Sequence, residues 1–157
     1  CVTRRQRQMC IRDRLNRDYL RVKMSWIDKR DSNYSYKIKT LTKSFADIAE
    51  GSKMLVATPL IIDSYIKKVP FGTVTNLSSL RDDLALEFQV DKTCPVSTAI
   101  FLKIVANASY EELSLGIDIS EVAPFWRVVD PDSKLAKKLN CGIEFIINQR
   151  INEILDV

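Results

Sequence analysis

The stretch from Pro95 to Leu113 constrains the fold more than any other part of the chain. Read as a helix, it places Val96, Ala99, Ile100, Phe101, Leu102, Ile104 and Val105 on every side rather than along one stripe. A helix that is apolar all round is buried by neighbours on several sides and belongs at the centre of its domain. Pro95 suits the first helical turn, where its missing N–H costs nothing. The rest of the chain must supply the elements that wrap this helix.

Those elements follow in order. Met54–Ala57 is a short apolar, strand-like run. Thr58 then stands as an N-cap with Pro59 at the first helical position, and Leu60, Ile61, Tyr65 and Ile66 recur at helical spacing up to Val69. Pro70-Phe71-Gly72 breaks that helix, and Thr73–Thr75 is a brief extended piece. Asn76 or Ser79 caps the next helix, whose buried stripe is Leu77, Leu80, Leu84 and Phe88. Beyond the central helix, Ile117–Ala123 is a loop or short strand. Phe125–Val129 and Lys134–Leu139 read as two strands of a hairpin turned at Asp130–Ser133. Gly142 precedes a final helix carrying Ile143, Ile146, Ile147, Ile151, Ile154 and Leu155 on one side. Residues 24–50 are polar, with scattered aromatics and no clean period, and are expected to pack along the main domain as an extension. The order predicts an α+β fold with helix-turn-helix and wing features.

Composition removes whole classes of function. A chain of 157 residues, 46% hydrophobic, suits one domain with an ample core. No apolar run reaches the roughly 18 residues of a membrane span, and no signal peptide with a cleavage site is visible. The sequence holds no His, which excludes a Ser-His-Asp triad, a Cys-His pair and any His-ligated metal. The formal charge of +4 comes entirely from residues 1–14, where five Arg face one Asp. Within that block MCIRDR (Met9–Arg14) resembles a sequencing-library adapter translated in frame, so residues 1–14 are set aside from fold reasoning. The competing reading is a basic arm that binds nucleic acid. From Met24, the suspected start, 16 basic residues face 18 acidic ones, so bulk charge implies no polyanionic partner. Setting the block aside leaves Cys94 and Cys141, too few and wrongly spaced for a zinc site or a disulfide framework. A reducing, cytoplasmic location is the resulting expectation. Domain boundaries are expected at 15–50 for the extension and 51–157 for the main domain.

Three segments carry a family resemblance: VPFGTVTNLSSLRDDL, CPVSTAIFLKIVANA and APFWRVVDPDSKLAKKLNCGIEFIINQRINEI. Together they resemble the DNA-binding, active-site domain of alkylguanine-DNA alkyltransferases, and more closely the alkyltransferase-like proteins that lack the acceptor cysteine. The likeness spans about Met54–Leu155. Its most specific piece is PFWRVV (Pro124–Val129), where the family signature reads PCHRVV. The resemblance implies a winged helix-turn-helix fold and double-stranded DNA, alkylated or not, as partner, with a repair protein as a further partner. It calls for no metal and no cofactor.

In the family the Cys of that signature attacks the alkyl carbon of a flipped-out guanine, assisted by the adjacent His and by a Glu on the last helix. The matching positions here are Phe125, Trp126 and Glu153. Only a thiolate is an effective nucleophile, so methyl transfer by this site is excluded. The Arg that fills the space of the extruded base matches Thr98, and the phosphate-rotating Tyr matches Leu77 with Asn76 beside it. The Asn before the active loop has no clear equivalent in GIDISEV.

Each candidate also has an ordinary explanation. Phe125 and Trp126 either stack on an unpaired base or are core aromatics of the strand feeding the wing. Strand alternation would turn one in and the other out. Arg127 either serves the site or forms a structural salt bridge to Glu153 or Asp130. Lys134, Lys137 and Lys138, with Arg81 and Lys103, are candidate phosphate contacts or simply a solvated edge. Cys94 and Cys141 precede helices, which favours a thiolate, but neither has a base beside it in the sequence. The leading expectation is therefore a non-catalytic, alkyltransferase-like DNA-binding protein that recognises alkylated guanine. The alternatives are an interaction module that kept the fold but lost DNA, and an enzyme using one of the two thiols.

Overall fold

The computed structural model describes residues 24–153. The arginine block, its two cysteines and residues 15–23 lie outside the described residues, as do Ile154 and Leu155 of the expected final helix. The described chain is α+β, with helices α1 (Trp26–Asp31), α2 (Pro59–Lys68), α3 (Leu77–Glu87), α4 (Pro95–Ser114) and α5 (Ile143–Asn152). Three short strands, β1 (Lys37–Thr40), β2 (Lys53–Val56) and β3 (Lys92–Thr93), form one sheet in that order. β1 runs antiparallel to β2, with Lys37 opposite Val56, and β3 runs parallel to β2, with Leu55 opposite Thr93.

Local chemistry accounts for the helix starts. The Thr58 hydroxyl accepts the Ile61 N–H at 3.3 Å, and Pro59 occupies the first turn of α2. For α3 the cap is Asn76 rather than Ser79: its Oδ1 accepts the Ser79 N–H at 2.9 Å. Between the two helices Gly72 adopts φ +76°, a conformation that a side chain makes costly, and this permits the tight loop after Pro70. Ile62 and Ile66 of α2, Leu80 and Leu84 of α3, and Leu55 of β2 are all fully buried in one core.

α4 is the central element over most of its 20 residues. Leu102, Val105, Ala106 and Ala108 are buried, with α1 and α2 packed along the helix. Its first turns depart from the expectation. Val96 and Ile100 are each 53% exposed, because α1 covers only the later turns.

The expected hairpin wing is absent among the described residues. Phe125–Arg127 and Ala136–Lys138 are single 3-10 turns, and no strand lies between Phe125 and Leu139. The physical cause is burial without alternation. Val122, Ala123, Phe125, Trp126, Val128 and Val129 are all buried, so the run has no solvent face to show as a half-exposed strand. Its backbone bonds locally instead, with the N–H groups of Arg127 and Val128 returning to Pro124 and Phe125. Arg150 of α5 supplies two more partners, donating to the carbonyls of Trp126 at 2.7 Å and Val129 at 2.9 Å.

The extension is more ordered than its sequence suggested. Ser25 and Asp28 form a reciprocal capping box at the start of α1, and β1 adds an edge strand to the sheet. Among the described residues no helix is long and apolar enough to cross a membrane.

Candidate functional site

The positions singled out by the PFWRVV segment converge at the junction of the first 3-10 turn with the end of α5. The turn presents Phe125, Trp126 and Arg127 in succession, and Glu153 caps α5 beside them. The Trp126 indole donates Nε1–H to Glu153 Oε1 at 2.8 Å. Arg127 grips the same carboxylate with two donors, Nε to Oε2 at 2.7 Å and Nη2 to Oε1 at 2.8 Å. Its third arm, Nη1, reaches the Val69 carbonyl at 2.7 Å and ties the end of α2 into the cluster. The guanidinium also lies 5.5 Å from the ring centre of the exposed Phe71.

Electrostatics follow from this geometry. Burial works to raise the Glu153 carboxyl, but the hydrogen bonds from Arg127 and Trp126, the Arg127 charge and the Gly72 N–H outweigh it. The carboxyl is held below its ordinary value and is ionised at neutral pH. Both its oxygens are occupied, so it has no free acceptor to offer as a general base. An indole N–H neither gives nor takes a proton at neutral pH, and Phe125 carries no nucleophile. The centre is an ion-paired clasp, not a reactive one.

Comparison with protein-family models, curated proteins and solved structures gave no match to this chain.

The aromatic pair differs from the alternation reading. Phe125 is 0% and Trp126 2% exposed, so both face inward. A 3-10 turn replaces the expected strand, and α5 closes over it: Phe145 stacks on Phe125 at 6.0 Å and meets Trp126 edge-on at 6.3 Å. Neither ring presents a face on which a base could stack. Thr98, the expected base-pocket candidate on α4, is also fully buried, its hydroxyl donating to the Cys94 carbonyl at 2.6 Å. Asn76 spends its side-chain oxygen on the α3 cap.

Among the candidate phosphate contacts, Arg81 is committed elsewhere. It donates to the Thr93 carbonyl at 3.0 Å and pairs with Asp47 at 2.8 Å, so it buttresses the sheet instead of facing solvent. Lys103 is half-buried, 5.9 Å from the Trp26 ring. Lys134, Lys137 and Lys138 are exposed around the second 3-10 turn. Of the two thiols, Cys94 is buried, and burial pushes Cys141 up to about 11, the reverse of an activated nucleophile. Among the described residues, no three His, Cys, Asp or Glu side chains gather as metal ligands would.

A second polar cluster, absent from the sequence reading, anchors the extension. Arg30 is buried and pairs with Glu112 at 2.7 Å and Asp31 at 2.8 Å, with Asp63 at 3.7 Å. Glu111 Oε2 accepts the first N–H groups of α1, from Trp26 at 2.7 Å and Ile27 at 3.3 Å. Ser25 three residues before Asp28 was the visible signal that a helix begins there. Nothing local marks Arg30 as buried, because the partners that enclose it, Asp63 and Glu112, lie on α2 and α4.

Proposed function

We propose that this chain is a non-catalytic, alkyltransferase-like DNA-binding protein whose former reactive centre has become a structural clasp. One observation carries the reading: the Trp126 indole donates to Glu153 at 2.8 Å. Those are the two positions that the resemblance assigns to a His and its Glu, brought together from a loop and the last helix. The helix-turn-helix element is then α3 and α4, and the Lys134–Lys138 segment stands in the place of the wing. Phosphate contact falls to Lys134, Lys137 and Lys138, the candidates that are exposed. Duplex, alkylated or not, is held by its backbone, since Phe125 and Trp126 are in the core. Free thiols at Cys94 and Cys141 fit a cytoplasmic setting.

A second reading, a protein-interaction module with a repair factor among its partners, is favoured by the exposed start of α4. A groove-reading helix normally presents Arg, Lys, Asn or Gln from its first turns, whereas α4 shows Val96 and Ile100. The two separate in one titration. The chain from Met24 onward is added to duplexes with and without an alkylated guanine, at two salt concentrations. Salt-dependent binding to both duplexes, with no gain of methyl mass on the protein, is expected. No duplex binding at low salt moves the assignment to the interaction module, and a stoichiometric methyl adduct overturns the non-catalytic assignment.

A further inference from the structure

We propose that the cleft between α2, α3 and the loop joining them is a binding site for a flat organic cation of the amidinium or guanidinium class. The cleft has a volume of about 500 Å³, within the range of small-ligand sites. Its apolar walls are the Tyr65 ring, Val69, Pro70 and Val74, a combination suited to a planar body. On the α3 side stand Asp83 and Glu87, four residues apart and so on one helix face. Lys68 at the rim lies 3.8 Å from Glu87 and offsets one of the two negative charges, leaving the cleft net acidic.

The polar groups are arranged in advance. The Tyr65 hydroxyl donates to Asp83 Oδ2, while Asp83 Oδ1 accepts nothing among the described residues. Burial and the neighbouring Asp83 push the Tyr65 phenol up to about 12, so it stays a donor at neutral pH and holds that carboxylate in one orientation. The facing wall is fixed as well. Thr75 donates its N–H to the Arg127 carbonyl at 2.8 Å, and the Arg127 guanidinium holds the Val69 carbonyl. A planar cation entering this space meets apolar walls that include Tyr65 and a carboxylate with a free oxygen, and forked N–H donors match a carboxylate best. The site uses none of the Lys134–Lys138 segment, and the Glu153 clasp touches it only through Arg127, which anchors the wall at Val69 and Thr75.

Benzamidine is the probe, titrated into the full chain by calorimetry and by amide NMR, with neutral benzamide as the isosteric control. Saturable benzamidine binding that shifts Tyr65, Val74 and Asp83 resonances is expected, with no saturation by benzamide. Asp83→Asn should weaken binding about tenfold or more, the usual size of losing one charge-assisted bond. Tyr65→Phe keeps the carboxylate and should weaken binding less than Asp83→Asn, which distinguishes loss of the site from loss of fold. Thermal melting of each variant accompanies the titration. Equal binding of benzamide, absence of saturable binding, or undiminished affinity in a folded Asp83→Asn protein would each overturn the assignment.

Discussion

Glu153 is the residue on which the end of α5, the Phe125–Arg127 turn and, through Arg127, the end of α2 are tied together. Its carboxylate is nearly buried and bonded by Trp126 and Arg127, so removing its charge strands the Arg127 guanidinium. Glu153→Gln should cost about 3–5 kcal/mol in urea denaturation, the usual penalty for breaking one side of a buried pair. The same pair sets a pH dependence. Because the folded carboxyl sits below its ordinary value, the unfolded chain takes up the proton first as pH falls. The Glu153 contribution is therefore complete above about pH 4.5 and is lost as pH drops through the lower, folded value. Glu153→Gln should show a shallower acid decline than the parent. Trp126→Ala should cost about 3–5 kcal/mol as a core truncation, and Trp126→Phe less. A Trp126→Ala protein as stable as the parent would contradict the burial and restore the ring as a base-stacking wall.

The six residues of α1 have little helical stability alone, since isolated helices shorter than about 12–15 residues are marginal. What holds α1 is the buried Arg30 paired with Glu112 and close to Asp63, together with Glu111 on its first N–H groups. Burial works to lower the Arg30 guanidinium, but bonds to Glu112 and Asp31 with the charges around it outweigh that and raise it, so it stays charged. Arg30→Ala leaves Glu112 unpaired and Asp63 with only Lys67 at 2.9 Å, and should destabilise by about 3–5 kcal/mol. A double-mutant cycle of Arg30→Ala with Glu112→Gln should return a coupling of about 0.5–3 kcal/mol. Additive effects would show that the pair does not bind the extension to α4. Glu111→Ala should open the amides of Trp26 and Ile27 to hydrogen exchange before any other helix is affected.

For the molecule as a whole, the decisive quantity is how duplex affinity responds to salt. If Lys134, Lys137 and Lys138 each neutralise one phosphate, together they contribute about −2.7 to the slope of log affinity against log salt. Changing all three to Ala should flatten the slope by about that amount and weaken binding alike across sequences. An unchanged slope would remove this segment from any DNA interface. The elements legible in the sequence were those whose cause is local. Thr58 with Pro59, the Pro70–Gly72 break and the stripe Leu80–Leu84 sit within one turn of what they determine, so α2 and α3 appeared where expected. The α4 run was legible for the same reason, since its apolar residues cover every side whatever surrounds them. One chemical limit was legible too, because neither a Phe nor a Trp side chain carries a nucleophile, whatever surrounds it. The fate of Val122–Val129 was not legible: an apolar run suits a strand or a tight buried turn equally, and Arg150 from α5 decides between them by taking its carbonyls. Arg81 read as a candidate phosphate contact, and nothing in the sequence singled out Arg30, for a parallel reason. Burial of a charge depends on partners distant in sequence, here Asp47 and Glu112, and only tertiary structure brings those partners within reach.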